Sequence, residues 1–174
     1  MSIWRLQGED LRSNFAILDQ VPDGICALSD NFDVVFWNKT LSFSSNIKAE
    51  QAEGHNFFAL FPRINKHSYQ ERFRQVLANG SPTIFSPRIH EFLIPCVSGS
   101  GTRQVQECVV TGWKNERDGR RYAILTIRDL SESIERIEQL KKLNKLKDDF
   151  LAVCSHDLRS PLAIVLGYTE LLLE

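Results

Sequence analysis

The sequence predicts an α+β protein: a five-stranded antiparallel sheet with flanking helices, followed by a long C-terminal coiled-coil helix. Three observations carry this expectation. Between about Phe15 and Asp129, short apolar runs bounded by turn residues alternate with stretches of helical period. Their order is two strands, several short helices, then three strands, which hairpin connections join into one antiparallel sheet. From Leu130 to Glu174 the residues read as one continuous helix with no turn signal.

The elements follow in chain order. "GICALS" and "DVVFWN" are apolar runs separated by the turn-rich "SDNFD", and predict a two-stranded hairpin. "NKTLSFSSNIKAEQAEG" is polar and tolerant of helix, with Gly54 as its stop. In "KHSYQERFRQVLANG", Tyr69, Phe73, Val76 and Leu77 recur at i, i+4, i+7 and i+8, which makes one apolar helical stripe closed by Asn79-Gly80. Three strand-like segments complete the first half: "PTIFSPRIHEFLIP", "TRQVQECVVTGWKN" and "RRYAILTIRD", with "SGSG" and "ERDG" as the turns. Phe36, Phe61, Phe73, Phe85 and Ile124 are the expected core.

Composition narrows the class. The 174 residues are 43% hydrophobic and 25% charged, enough for one full core and something extra. The net charge of -1 gives no broad basic footprint for nucleic acid or for a membrane surface. No apolar run reaches the roughly 18 residues that span a bilayer, and the N-terminus has no apolar signal core. A cytoplasmic location is expected, with membrane attachment of a longer protein left open. Cys26, Cys96, Cys108 and Cys154 are scattered without a C-x-x-C pair, so reduced, mostly buried thiols are expected and a zinc site is not.

"VPDGICALSDNFDVVFWNKT" resembles the opening of a PAS domain, where D-G-I, a hairpin and an aromatic-Asn step lead into the first helix. "RDLSE", Arg128 to Glu132, resembles the D-h-T/S-E signature that closes such domains and starts the outgoing helix. The resemblance covers about Ser13 to Glu132 and implies a sensory domain holding haem, flavin, a small metabolite or nothing. "GHNFF" sits where light-sensing flavin relatives carry G-R-N-C, and Phe57 stands at the place of their reactive cysteine, so thiol-adduct photochemistry is not expected. His67 opens the helix from which some oxygen-sensing relatives ligate haem, and is the first haem option; a surface histidine at a helix start is the simpler reading. His55 and His90 are weaker options still.

In the second half, Asp129 and Glu132 fit a capping box in outline. Leu130, Ile134 and Ile137 begin a heptad seam. It turns polar at Lys141, Asn144 and Asp148, then recovers at Leu151, Leu158, Leu162 and Val165. A second seam, one helical step round, carries Leu143, Leu146, Phe150 and Val153. One broad stripe in a bundle, or two packing registers of similar energy that a sensor could bias, both satisfy this pattern. Either needs a partner helix, most simply from a second copy of the chain.

"CSHDLRSPLA" interrupts that helix with chemistry. His156 lies about 200° round the helix from Leu158, away from the seam. Arg159 and Ser160 share its face, and Ala163 and Gly167 extend that face with small residues. Pro161 has no N–H to offer the carbonyl of Asp157, so a bend is expected there. An exposed neutral imidazole is a nucleophile near pH 7, and a neighbouring carboxylate can hold its other ring N–H. Ser155, His156 and Asp157 are consecutive and point about 100° apart, which disfavours a hydrolase triad.

"FLAVCSHDLRSPLAIVLGYTELL" closely resembles the phosphoacceptor box of sensor histidine kinases, F-h-x-x-x-S-H-[ED]-h-R-[TS]-P-L-x-x-I. The resemblance implies that His156 is the phosphorylated histidine, Asp157 the acidic residue assisting it, Ser160 a residue of the phosphatase step and Pro161 the kink. It also implies a homodimer through this helix, ATP as phosphodonor bound by a separate domain, and a response-regulator aspartate as acceptor. The chain ends within the first helix of that domain and carries no ATP-binding boxes, so it is expected not to phosphorylate itself. The expected organisation is an N-terminal extension over 1–12, a PAS sensor over 13–129, a coiled-coil linker over 130–149 and the start of the phosphoacceptor domain over 150–174. The rivals are a non-enzymatic PAS dimerisation or ligand-binding module, and a haem or flavin redox sensor feeding the same kinase.

Overall fold

The computed structural model describes residues 15–90, 92–99, 101–116 and 118–171; for residues 88, 160 and 166–171 it describes the backbone alone. The chain divides into two compact units, Met1–Ser131 and Glu132–Glu174. The first contains five strands: β1 Gly24–Leu28, β2 Val34–Trp37, β3 Thr83–Phe85, β4 Gln106–Lys114 and β5 Arg121–Asp129. They form one sheet in the order β2-β1-β5-β4-β3, with every pairing antiparallel. Between β2 and β3 lie α1 Lys39–Ser45, α2 Ala49–Ala52, α3 Phe57–Leu60 and α4 His67–Asn79; α5, Pro87–His90, follows β3. The second unit is most of α6, Ser131–Leu171. The α+β architecture is the one the sequence predicts.

The sheet is apolar on both faces, for different reasons. Strand alternation sends Cys26 and Leu28 of β1, Leu125 and Ile127 of β5, and Cys108 and Val110 of β4 to the face that the helices cover. There Phe57, Phe58, Phe61, Phe73 and Phe85 interlock, with ring centroids 5.2 to 5.8 Å apart for contacts such as Phe57–Phe61 and Phe73–Phe85. The stripe read from α4 is correct: Phe73, Val76 and Leu77 are buried, and Tyr69 stacks on Phe85 at 5.6 Å. Ile25, Ala27 and Phe36 face the other way. Phe15, Leu18 and Val21, just ahead of β1, cover them, and Phe15 also meets Trp113 of β4. Phe36 and Ile124 therefore do not share a core with Phe61, Phe73 and Phe85, because their strand parity puts them on the opposite face.

The helix-tolerant stretch 38–54 forms two short helices, in keeping with the several short helices expected there. Asn46 adopts a left-handed conformation (φ 58°) that stops α1 one turn before α2 begins. "PTIFSPRIHEFLIP" is a strand for only three residues. Pro87 opens α5, and the Ser86 carbonyl accepts from the amides of Ile89 and His90. Leu93, Ile94 and Cys96 then enter the core from a non-repetitive segment. "SGSG" closes an isolated bridge, Val97 to Arg103, ahead of β4. At the other predicted turn, Gly119 (φ 70°) lets Asn115 and Arg120 close the β4–β5 hairpin.

Asn38 fixes where the first hairpin enters α1. It is fully buried, and its Oδ1 accepts from the amides of Ile25 and Leu41, both at 2.9 Å. Its Nδ2 donates to the carbonyls of Leu18 and Asp23. One side chain thus serves as helix cap and as clamp on the segment before β1.

Candidate functional site

The exit from the sheet into α6 is made by hydrogen bonds. Leu130 N–H donates to the Val105 carbonyl at 2.8 Å, and Val105 N–H donates to Ser131 Oγ at 2.9 Å. Asp129 Oδ1 accepts from the Ser131 amide, satisfying one of the orphan donors at the helix start. The reciprocal half of the expected capping box is absent among the described contacts: Glu132 pairs instead with Arg136, one turn on.

Along α6 both predicted seams lie open from Ile137 onward, while Leu130 and Ile134 at their start are half-buried. Ile137, Leu143, Leu146, Phe150, Leu151, Val153, Leu158, Leu162 and Val165 are each at least half exposed, as are Leu140 and Ile164. Helical period thus produces the apolar faces without covering them. Such a helix draws its stability from a packing partner rather than from propensity.

His156 stands on this helix with 81% of its side chain exposed, and Asp157 with 73%. The imidazole Nδ1 lies 3.4 Å from Asp157 Oδ1. The carboxylate therefore engages Nδ1 and leaves Nε2 facing outward. Neutral His156 can hold its proton on Nδ1 beside Asp157 and present the Nε2 lone pair. Arg159 is exposed on the following turn. Ser160 belongs to the helix, but its side chain lies outside the described residues. The helix continues through Pro161, which removes one hydrogen bond from the Asp157 carbonyl without ending α6.

Among its described residues the first unit brings together no equivalent cluster of reactive side chains. His67 and His55 are exposed, so His67 is not directed into the core as an axial ligand would be. His90 is packed edge-on against Tyr69 and Phe85 and lies 3.1 Å from an Arg72 nitrogen. Phe57 is fully buried, filling its site with a ring. Cys26, Cys96 and Cys108 are free and buried. Burial pushes all three thiols up, Cys108 to about 12, so they stay protonated and behave as small apolar groups. Gln106, also buried, donates to the Ile94 carbonyl at 2.8 Å and so holds the segment before β4 against the core. The sequence reading did not single out Gln106, because Gln104 shares its strand parity and nothing local separates the two. Among the described residues no group of three or more His, Cys, Asp or Glu is placed to hold a metal ion. No helix among them is long and apolar enough to cross a membrane.

Comparison with known proteins finds two family models that match successive parts of the chain. Residues 18–135 match the family model of the PAS fold, and residues 146–174 match that of the His Kinase A (phospho-acceptor) domain. The phosphate regulon sensor protein PhoR of Pseudomonas aeruginosa is 26% identical over 185 residues, which span 99% of this chain and 35% of PhoR. Sensor protein SrrB of Staphylococcus aureus is 33% identical over 61 residues, 35% of this chain and 9% of SrrB. The chain thus spans about a third or less of these relatives. Among solved structures, a sensory box sensor histidine kinase from Vibrio cholerae superposes with a TM-score of 0.51 at 19% identity, covering 73% of this chain and 97% of that one. The PAS domain of Bordetella pertussis BvgS gives 0.51 at 14% identity, covering 81% and 98%. At these identities the likeness is one of fold.

Proposed function

The chain belongs to the PAS-fold family and continues into a His Kinase A phospho-acceptor segment, and from this we propose that it is the sensory and signal-transmitting part of a two-component sensor histidine kinase. In this reading residues 13–129 detect the signal, 130–149 transmit it and 150–174 begin the phosphoacceptor domain. The observation that carries the reading is His156: an exposed imidazole paired through Nδ1 with the next residue's carboxylate, within the segment that matches the phospho-acceptor family.

The chemistry follows from that pair. Nε2 attacks the γ-phosphorus of ATP held by a separate domain. An N–P bond forms, the bond from γ-phosphorus to the bridging oxygen breaks, and ADP leaves with the electron pair. Asp157 stabilises the positive imidazole as it forms and accepts the Nδ1 proton or passes it to water. The phosphoryl group then moves to a response-regulator aspartate. In the reverse hydrolysis Ser160 orients the attacking water. A second copy of the chain pairs along α6 and covers its apolar seams, and the signal acts by changing that pairing.

The test uses the protein extended through its kinase domain. Incubated with ATP, it should form an acid-labile, base-stable phosphoprotein that His156→Gln abolishes. Retention of that label by the variant would remove His156 from its role.

A further inference from the structure

Charge along α6 is uneven in a way the reaction does not explain by itself. From Asp148 to Glu174 the chain carries Asp148, Asp149, Asp157, Glu170 and Glu174, and a single Lys or Arg, Arg159. The nearest cation before it is Lys147, nine residues ahead of His156, about 13 Å along the helix axis. Arg159 is three residues after His156, so the two side chains leave the same face with Cβ atoms about 5–6 Å apart. It is exposed and makes no ion pair or hydrogen bond among the described residues. Asp157 is two residues away, does not share its face and is already engaged by the imidazole.

An arriving phosphoryl group brings close to two negative charges to a place where Asp157 already supplies one. From Asp148 onward Arg159 is the one Lys or Arg in the sequence to oppose them. Its planar fork reaches two oxygens of one phosphoryl group, which a lysine's single ammonium does less well. We propose that Arg159 is a phosphoryl-binding residue: it receives the anionic phosphodonor at His156 Nε2 and holds the phosphoryl oxygens once the N–P bond has formed. This inference rests on His156 being the phosphoacceptor.

The 174-residue chain itself tests it, with phosphoramidate as a small anionic donor that needs no ATP-binding domain. Nε2 attacks phosphorus, the P–N bond of the donor breaks, ammonia leaves, and the Nδ1 proton passes to water. Peptide mapping then follows phosphorylation at His156, with exposed His55 and His67 of the same molecules as internal references. Arg159→Gln should slow labelling of His156 relative to His55 and His67 by about two- to fivefold at low salt, since one exposed charge at this range is worth about 1 kcal/mol or less. The difference should shrink at 1 M salt, and Arg159→Lys should restore part of the rate. An unchanged His156 ratio in Arg159→Gln overturns the proposal, as does a loss that salt does not diminish. Failure of the phosphoacceptor reading looks different: there His156→Gln keeps its ATP-dependent label in the extended protein, whatever Arg159 does with phosphoramidate.

Discussion

The sheet unit and helix α6 spend similar apolar side chains in opposite ways. In the first, Phe57, Phe58, Phe73 and Phe85 are buried to 2% exposure or less by neighbours from the same chain. In the second, Leu143, Leu146 and Phe150 are more than 60% exposed. The same hydrophobic free energy that closes one unit is left open in the other. A unit that closes its own core can hold a shape while its surroundings change. A helix that cannot close must take its structure from whatever it pairs with, which makes its pairing easy to alter. In the proposed reading this divides the labour between a unit that detects and a helix that reports.

The largest effect that would sharpen this contrast is removal of an aromatic from the closed core. Phe73 contacts Phe57, Phe58, Phe85 and Phe32. Phe73→Ala should cost about 4 kcal/mol in urea unfolding followed by near-ultraviolet circular dichroism. A loss below about 1 kcal/mol would mean that this core is not closed as described. Next comes Asn38→Ala, which strands two amides and two carbonyls inside the protein. It should cost about 3 kcal/mol by the same measurement.

A smaller effect comes from the buried thiols. Cys108 keeps its proton up to about 12 in the folded chain because burial disfavours the thiolate, while the unfolded chain loses it near the ordinary thiol value. The folded pKa is the raised one. Stability from this group is therefore complete below about pH 8.5, and it falls from there until pH 12, by at most about 1.4 kcal/mol per pH unit. Urea midpoints between pH 8 and 10.5 should decline, and Cys108→Ala should decline less steeply. Smallest of all should be the response of the sheet unit to Leu143→Asp on α6. Its unfolding free energy should stay within about 0.5 kcal/mol. A larger change would show that the sheet unit depends on the helix for stability.

Much of the fold was legible because period and burial agree. The β1–β2 hairpin, the α4 stripe and the β4–β5 hairpin each have one covered apolar set and clear turn residues. The failures occurred where the chain's partners lie far away in sequence. Nothing local says that Leu93 and Ile94 enter the core from a non-repetitive segment, with Gln106 donating to the Ile94 carbonyl. Nor does β1 announce that its second face is covered by Phe15, Leu18 and Val21. At the candidate site, helical spacing alone gives the relative placement of His156, Asp157 and Ser160 and sets Arg159 on the face of His156. What spacing could not supply was the 3.4 Å contact that ties Asp157 to Nδ1 and frees Nε2.

In the proposed reading α6 is completed by a second copy of the chain, while the sheet unit closes its own core. The molar mass of the 174-residue chain in solution tests it most directly, by light scattering on a gel-filtration column, alongside Leu143→Asp/Leu158→Asp, which places a charge in each seam. The native sequence should show twice the 20.0 kDa chain mass, and the variant a shift toward the single-chain mass with its near-ultraviolet spectrum intact. A native chain that elutes as a single copy across micromolar concentrations, with α6 still helical, would contradict it.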